Sequence, residues 1–289
     1  MKHKVCFFNQ SSVHYRKEIF MLMDRELGID FYFGDSRPGG IAPMDTSLLS
    51  HFRGYFHNIS LGRFYWQSRA VALLWSDYTD LFTTGVHTCL SAWLIILLAP
   101  LFRKRVYLWS HGAYGDERGL KRWLTRWKMN RVEASLLYGE YARRLLIEMG
   151  VKPDKLHVFY NSLAYDEQKT LREQIQPSPL YQEHFGNSHP NLVFIGRLMK
   201  SKRLELILEA ISLLKEQGQA VNITFIGDGE ARGMLMEKTR QAGLDGQVWF
   251  YGSCYDERQI AELLFNADLC VSPGNVGLTA MHAMTSARP

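Results

Sequence analysis

Short apolar segments alternate with helical patterns along nearly the whole chain, and this alternation limits the possible folds more than any other feature of the sequence. Strands of about five residues separated by amphipathic helices are typical of parallel sheets built from right-handed crossovers. Segments of this kind begin at Val5, Asp30, Asp80, Val106, Ser135, Leu156, Asn191, Asn222, Gln247 and Leu269. The expected fold class is therefore α/β, with two Rossmann-like doubly wound domains.

A change in composition predicts where the two domains meet. The length of 289 residues exceeds what one hydrophobic core usually supports. The periodicity fades before residue 190 into charged and polar residues with three prolines. We predict a first domain over residues 1–165, a linker over 166–190 and a second domain over 191–289. A further strand would be expected after the last helical pattern, so the second domain is expected to be incomplete at its C-terminus.

The charge of the chain is unevenly distributed. Residues 1–165 carry 22 Lys and Arg against 14 Asp and Glu, whereas residues 166–289 carry 12 against 15. Nine basic residues and three tryptophans lie between Arg103 and Arg131. A basic, aromatic surface suits a nucleic acid or an anionic membrane. The alternative is an ordinary soluble helix that Leu120, Leu124 and Val132 seat on the core.

Other features bear on location and metal binding. The chain opens directly into a strand-like segment without a long apolar run, so a cytoplasmic location is expected. The apolar run from Cys89 to Phe102 is too short to span a bilayer and is expected to be a core or interfacial helix. The four cysteines form no CxxC pair, and no metal-ligand spacing is visible. We therefore expect no metal site.

Glycines and cations follow the strands of the second half. Ligands of parallel sheets bind at the carboxyl ends of the strands, where helix N-termini offer free N–H groups. Every predicted strand there ends in glycine, namely Gly196, Gly227, Gly252 and Gly274. Arg197 and Lys202 follow the first of these strands. Both cations could hold a diphosphate by charge-assisted hydrogen bonds, although a solvated charged loop is the simpler alternative.

The motifs of the second half resemble a known family. "GRLMKSK", "FIGDGEARGMLME", "VWFYGS" and "ADLCVSPGNVGLTAMHAM" are similar, in order and spacing, to the donor-domain motifs of the family 4 glycosyltransferases. In the first half, "YRKEIFMLM", "SHGAYG" and "EYARRLLIEMGV" look like the acceptor domain of the same family. The resemblance implies the GT-B fold, in which two Rossmann-like domains face a cleft, and a nucleotide-activated sugar as the donor.

The resemblance also implies roles for individual residues. Arg197 and Lys202 match the cations that contact the donor diphosphate, and His111 matches a histidine beside the transferring sugar; a structural histidine at a strand end is the alternative for His111. These three are the candidate catalytic residues. The family usually needs no metal, and no cofactor is expected. The implied donor-binding residues are Gly196, Arg197, Lys202, Gly227, Gly229, Gly252, Gly274, Asn275, Gly277, Leu278, Thr279 and His282.

The sequence departs from the family pattern at two points. Two glutamates that the family carries correspond here to Gly274 and His282, so donor contacts would come from backbone N–H groups of the segment between them. Ser11 and Ser12 stand where relatives often have a glycine-rich loop. The candidate residues on the acceptor side are Ser11, Ser12, Tyr15, Arg16 and Gly112.

The function that these features indicate is retaining transfer of a sugar from a nucleotide diphosphate donor. The basic, Trp-bearing stretch favours an acceptor at the cytoplasmic membrane face, such as a lipid-linked saccharide of surface polysaccharide assembly, with peripheral contact at the inner face of the plasma membrane. A nucleotide-sugar epimerase of the same architecture and a non-catalytic nucleotide-sugar-binding protein are the alternatives. Nucleic acid is not an expected partner, because the basic stretch lacks a recognised module.

Overall fold

Seven parallel strands form the sheet of the first unit. The computed structural model describes residues 3–36, 42–161 and 163–286, and the chain divides into the units Met1–Asn161 and Ser162–Pro289. The strands of the first sheet are β1 (Val5–Asn9), β2 (Asp30–Gly34), β3 (Phe52–Phe56), β6 (Asp80–Thr84), β7 (Arg105–Ser110), β8 (Ala134–Leu137) and β9 (Leu156–Val158). Their spatial order is β3-β2-β1-β6-β7-β8-β9. The order reverses between β1 and β6, so the carboxyl ends of these two strands flank a topological switch point.

Both faces of the central part of this sheet are buried, which explains why its central strands are rich in apolar residues. On one face Phe7 lies among the rings of Phe20, Phe31 and Trp109, with centroid distances between 5.5 and 6.0 Å. The other face packs aliphatic side chains, including the buried Leu81. The helices of this unit are α1 (Lys17–Leu27), α2 (Leu90–Leu98), α3 (Gly119–Arg131) and α4 (Glu140–Glu148).

Three strands of the first unit lie in a stretch that the sequence analysis left without strands. These are β3 and the antiparallel pair β4 (Asn58–Leu61) and β5 (Phe64–Gln67). β3 is an edge strand that alternates exposed and half-buried residues, and β4 is half-buried or exposed throughout. Such strands carry no continuous apolar run, which is the pattern from which the central strands were predicted.

The second unit contains a four-stranded parallel sheet. Its strands are β10 (Asn191–Ile195), β11 (Asn222–Ile226), β12 (Val248–Gly252) and β13 (Leu269–Cys270), in the order β12-β11-β10-β13. Its helices include α7 (Glu205–Glu216), α8 (Arg232–Gln241), α9 (Glu257–Asn266) and α10 (Thr279–Ser286). The order reverses between β10 and β13, which creates a second switch point. The prediction of an α/β fold with two parallel-sheet domains is confirmed.

The segment 166–190, predicted as a linker, contains two helices of the second unit. They are α5 (Tyr165–Gln174) and α6 (Leu180–Phe185). Tyr181 is buried and its hydroxyl donates to the carbonyl of Leu263 on α9 at 2.7 Å. Gln168 on α5 is also buried and donates to Glu257 at 2.9 Å. Because a few residues anchor these otherwise solvated helices, their apolar periodicity is weak, and the division of the chain lies at Asn161 and Ser162 instead of residue 165.

The apolar run from Cys89 to Phe102 contains a short helix. Its central part forms α2, which is nine residues long and buries Ile95 and Ile96 in the core of the first unit. Across the described residues, none of the helices combines the length and the hydrophobicity that crossing a bilayer requires. Within the run, Leu97 and Leu101 are exposed.

Candidate functional site

The carboxyl end of β10 meets the N-terminus of α10 at the second switch point. Thr279, the first residue of α10, is 4% exposed, and its hydroxyl donates to the carbonyl of Ile195 at 2.6 Å. A Cβ on Gly196 would lie 3.3 Å from the same hydroxyl oxygen. Gly196 thus lets a helix N-terminus come close to the strand end, as at the anion sites of parallel sheets.

Lys202 joins the loop after β10 to the segment before α10. Its ammonium donates to the carbonyl of Asn275 and, at 3.0 Å, to the carbonyl of Val276. A Cβ on Gly277 would lie 3.2 Å from Lys202 Nζ. Partial burial lowers the pKa of Lys202 from its ordinary value. Two of the three ammonium N–H donors are used within the chain, and one is left for a ligand.

Arg197 has a different environment. Its side chain is exposed and directly follows Gly196. Within the ranges that the structure describes, no hydrogen bond or ion pair engages the Arg197 guanidinium. A short 3-10 turn, Lys200–Lys202, separates Arg197 from α7, which begins at Glu205. Lys202 therefore precedes the helix by three residues instead of lying in its first turn.

The backbone packing explains several of the predicted donor-site glycines. A Cβ on Gly227 would overlap the carbonyl oxygen of Gly196, one on Gly229 would overlap that of Leu198, and one on Gly274 would overlap that of Ser201. Gly252 has no neighbour of this kind and adopts a positive φ of 93°. Because β13 ends at Cys270, Gly274 lies in the following loop and not at the strand end as predicted. The role of these glycines toward a donor stays a prediction.

His282 lies inside a polar cluster of the second unit. Its Nδ1 is 3.4 Å from Nε2 of Gln168. Oε1 of Gln168 accepts from the Thr285 hydroxyl at 2.8 Å, and Nε2 of Gln168 donates to Glu257 at 2.9 Å. Leu278, one turn before His282, is half-buried, and its carbonyl accepts from His282 N at 3.1 Å. This arrangement gives His282 a packing role, and a contact with a ribose hydroxyl stays a prediction.

A pocket of about 420 Å³ opens at the switch point of the first sheet. The ends of β1, β6, β7 and β8 contribute to its walls. Four of the five predicted acceptor-side residues line it, namely Ser11, Tyr15, Arg16 and Gly112. His111, the predicted catalytic histidine, lines it as well. Ser12 is buried next to the pocket, and its carbonyl accepts from Met44 N at 2.6 Å.

Two aromatic residues fix the position of Arg16. Its guanidinium donates to the hydroxyl of Tyr138 and lies 4.6 Å from the ring centroid of Trp109. Tyr15 is the next ring, at 5.8 Å. Burial raises the pKa of Tyr138, so its hydroxyl remains protonated at neutral pH. Arg16 is thus a preorganised cation in the pocket wall.

His111 lies at the mouth of the same pocket. Its ring centroid is 4.5 Å from that of Tyr138, in an edge-on contact. The side chain has an exposed edge, while the surrounding rings withdraw water from the remainder. Desolvation, and secondarily the charge of Arg16, lowers the pKa of His111. The imidazole is therefore neutral at pH 7 and can either donate or accept a hydrogen bond.

The close packing of Gly112 against α4 explains why a glycine occupies this position. Its φ is 76°, and a Cβ would lie 2.9 Å from Cβ of Ala142 and 3.2 Å from Cδ2 of Leu137. The N–H of Gly112 donates to the Ser110 hydroxyl at 2.9 Å. Glycine is required here by the fold itself, and close approach of a donor to Gly112 stays a prediction.

Two residues at this pocket were not predicted from the sequence: the lining residue His87 and the buried Lys128 next to it. Lys128 on α3 is 1% exposed, and its ammonium donates to the carbonyl of Gly85 at 2.5 Å. Lys128 Nζ is also 3.5 Å from Nδ1 of His87, a pocket-lining residue, and 5.0 Å from the ring centroid of Trp93. Burial lowers the pKa of His87 to about 4. The other cations of α3 are exposed, and nothing in the sequence distinguishes Lys128 from them. Its burial could therefore not be predicted.

Metal binding requires a cluster of suitable side chains. Among residues 3–36, 42–161 and 163–286, no three His, Cys, Asp or Glu side chains come together in a way that could hold a metal ion. The expectation that the reaction proceeds without a metal remains a prediction.

The match to a known family falls within the second unit of the chain. Residues 189–289 match the family described as "Glycosyl transferases group 1". An α-D-kanosaminyltransferase of Streptomyces kanamyceticus is 24% identical over 189 residues, which are 63% of this chain and 49% of that protein. The chain thus spans about half the length of this curated relative.

Solved structures resemble the chain over nearly its whole length. HepE of Anabaena, crystallised in complex with UDP, matches with a TM-score of 0.70 at 15% identity, over 98% of this chain and 78% of that one. The apo form of WaaB, a lipopolysaccharide outer core galactosyltransferase, matches with a TM-score of 0.61 at 14% identity, over 98% and 78% respectively. Residues 189–289 therefore match the group 1 glycosyltransferases, and the chain has the GT-B fold.

Proposed function

We propose that the protein transfers a sugar, with retention of anomeric configuration, from a nucleotide diphosphate donor to a saccharide acceptor. One observation carries this proposal more than the others: Lys202 and Thr279 draw the loop after β10 and the N-terminus of α10 together. The segment that bears them matches the family model. A strand end, a helix N-terminus and two cations form a suitable site for a diphosphate.

The two cations have complementary tasks in this proposal. As the glycosidic bond breaks, negative charge accumulates on the departing diphosphate. Arg197, which is exposed and unpaired in the described chain, offers a planar fork to its oxygens, and Lys202 offers its remaining N–H. Groups that stabilise the leaving diphosphate more than the bound donor lower the barrier. With these two charges present, the reaction needs neither a metal nor a cofactor.

The first unit is proposed to hold the acceptor near His111. The neutral imidazole of His111, at the mouth of the pocket, would donate to or accept from a hydroxyl of the transferring sugar. Ser11, Tyr15 and Arg16 line the same pocket and would contact the acceptor. The lowered pKa keeps His111 uncharged, so it does not repel Arg16 at neutral pH.

A lipid-linked acceptor of surface polysaccharide assembly is proposed from the surface of α3. Leu120 and Trp123 are 71% and 58% exposed, and the adjacent Arg118, Arg122 and Arg126 are exposed too. Exposed apolar side chains among cations suit an anionic membrane surface. The name of WaaB supports an acceptor of this class, since it refers to lipopolysaccharide. The protein would accordingly act in the cytoplasm, in peripheral contact with the inner face of the plasma membrane.

A donor screen tests the proposed reaction. The full chain is titrated with UDP-, GDP- and ADP-sugars by calorimetry, and each donor that binds is incubated with and without a saccharide acceptor. Release of nucleoside diphosphate together with a new glycoside of unchanged anomeric configuration is the expected result. Epimer formation without acceptor would instead identify a nucleotide-sugar epimerase, and binding without turnover would identify a non-catalytic binding protein.

A further inference from the structure

The pocket of the first unit contains a positive charge to which the proposed reaction assigns no specific partner. None of the described residues that line it carries a carboxylate, while Arg16 contributes a permanent positive charge. Within the described ranges, Arg16 forms no ion pair, and its hydrogen-bonding side-chain partner is the neutral hydroxyl of Tyr138. The Nε of Arg16 is buried without a hydrogen-bond partner. Several of the guanidinium donors therefore remain unused.

A buried lysine also lies next to the pocket lining. Lys128 is buried, and its ammonium is hydrogen-bonded to the Gly85 carbonyl, which belongs to a lining residue. The buried carboxylate of Glu117, on the same side, is already engaged by the N–H groups of Tyr114 and Gly115 at 3.0 and 2.9 Å. Burial lowers the pKa of Lys128 to about 7, and an anion in the pocket would favour its charged form.

We propose that the pocket selects acceptors that carry an anionic group, a carboxylate or a phosphate, with Arg16 as its counter-ion. This inference rests on the proposed function and adds the substrate class to it. The rings of Trp109 and Tyr138 hold the guanidinium in place, so little side-chain entropy is lost when the anion binds. His87 and His111 also line the pocket and are neutral, so each can donate a hydrogen bond to the anion while Arg16 provides the charge.

The same chemistry could serve the diphosphate of the donor, and the experiment separates the two sources. The full chain is titrated with glucose 6-phosphate, glucuronic acid and glucose, each in the absence and in the presence of saturating UDP. We expect both anionic probes to bind at least about tenfold more tightly than glucose, as one charge-assisted contact provides. We also expect UDP not to displace them. Displacement by UDP would assign Arg16 to the donor and overturn the proposal, as would equal affinity for glucose.

Variants of Arg16 identify the counter-ion. Arg16→Gln should weaken both anionic probes about tenfold or more and leave the affinity for UDP unchanged. Arg25→Gln, on α1, which begins directly after Arg16, removes an exposed guanidinium; it is the matched control and should change neither affinity. If Arg16→Gln does not fold, Arg16→Lys, which preserves the charge, is titrated instead and should still bind the anionic probes. The affinity of the wild type for glucose 6-phosphate is then measured at increasing NaCl concentration. Affinity for glucose 6-phosphate that does not fall with added NaCl would overturn the proposal.

The outcome is independent of the donor screen. A chain that binds no nucleotide sugar but binds the anionic probes through Arg16 would contradict the proposed transferase and keep the anionic pocket. A chain that binds UDP and prefers glucose would do the opposite.

Discussion

Lys128 is the residue whose chemistry differs most from what its sequence position suggests. It lies in a helix with an exposed basic surface, yet its side chain is 1% exposed and its pKa is lowered by burial to about 7 from an ordinary 10.5. The folded protein therefore releases this proton near pH 7, whereas the unfolded chain keeps it up to about pH 10.5. The unfolded state binds more protons in between, so the free energy of unfolding increases with pH across this window.

The pH dependence of stability tests this burial. The wild type should gain up to about 1.4 kcal/mol per pH unit from Lys128 between pH 7.5 and 9.5. Lys128→Met should lack that increase, which urea unfolding at several pH values measures. Lys215→Met, at an exposed lysine of α7, is the control and should keep the wild-type slope. A Lys128→Met curve parallel to the wild type would show that Lys128 is not buried as described.

Gly112 is a second residue whose identity the fold determines. Gly112→Ala should lower the free energy of unfolding by roughly 1–3 kcal/mol, because a positive φ and an overlap with Ala142 both oppose a Cβ. Gly119→Ala is the control: its φ is also positive, at 51°, but no atom lies within 4 Å of the added Cβ. Thermal or urea unfolding of both variants separates the two causes. Equal losses would mean that the packing against α4 contributes nothing.

At the scale of the elements, the sequence left two alternatives for α3: a basic, aromatic binding surface, or an ordinary soluble helix packed on the core. The alternative in which Leu120, Leu124 and Val132 seat the helix on the core is partly realised. Val132, directly after α3, is buried in the core and Leu124 is half-buried. The buried residues of α3 itself are Thr125, Lys128 and Met129. Leu120 and Trp123 face solvent. If this surface contacts membranes, its apolar residues and its cations should act together.

Vesicle binding tests the surface of α3. The double variant Leu120→Ser, Trp123→Ser should lower partitioning onto phosphatidylcholine vesicles containing phosphatidylglycerol by at least about tenfold, since two exposed apolar side chains leave the interface. The double variant Leu213→Ser, Trp75→Ser removes equally exposed residues elsewhere and is the control. Co-sedimentation provides the measurement. Equal losses in the two double variants, or binding unaffected by removing phosphatidylglycerol, would contradict the proposed contact.

The central strands and most helices were predictable, and the reasons are physical. Strands such as β1 and β11 are buried on both faces and are rich in apolar residues. Helix α9 begins after Asp256, whose side chain accepts from two backbone N–H groups. The edge strand β3 was not predicted because it carries no continuous apolar run. Helices α5 and α6 were not predicted because single residues, such as Tyr181 on α6, anchor them.

The candidate site was predictable in part for a similar reason. Residues at strand ends, such as Arg197 and His111, are visible in a sequence because the strand boundaries are. The contacts of Lys202 with Asn275 and Val276 join positions more than 70 residues apart. The pairing of Lys128 with Gly85 likewise depends on how α3 crosses the sheet. No local pattern encodes such contacts.

At the scale of the whole molecule, the two units differ in charge and in the chemistry proposed for them. The first unit carries the excess of positive charge and a pocket without carboxylates, and the second carries the family match and the proposed diphosphate site. Each assignment has its own test, so the failure of one leaves the other measurable. The claim on which the proposed reaction depends is that Arg197 and Lys202 bind the diphosphate.

Calorimetric titration of the full chain with UDP, GDP and ADP tests that claim most directly. For the nucleotide that binds, Arg197→Ala and Lys202→Ala should each weaken binding by about 2 kcal/mol, or roughly thirtyfold, as the loss of a charge-assisted contact predicts. Lys200→Ala, at an exposed lysine of the same turn, is the control and should bind like the wild type. Unchanged nucleotide affinity in both the Arg197 and Lys202 variants would contradict the account.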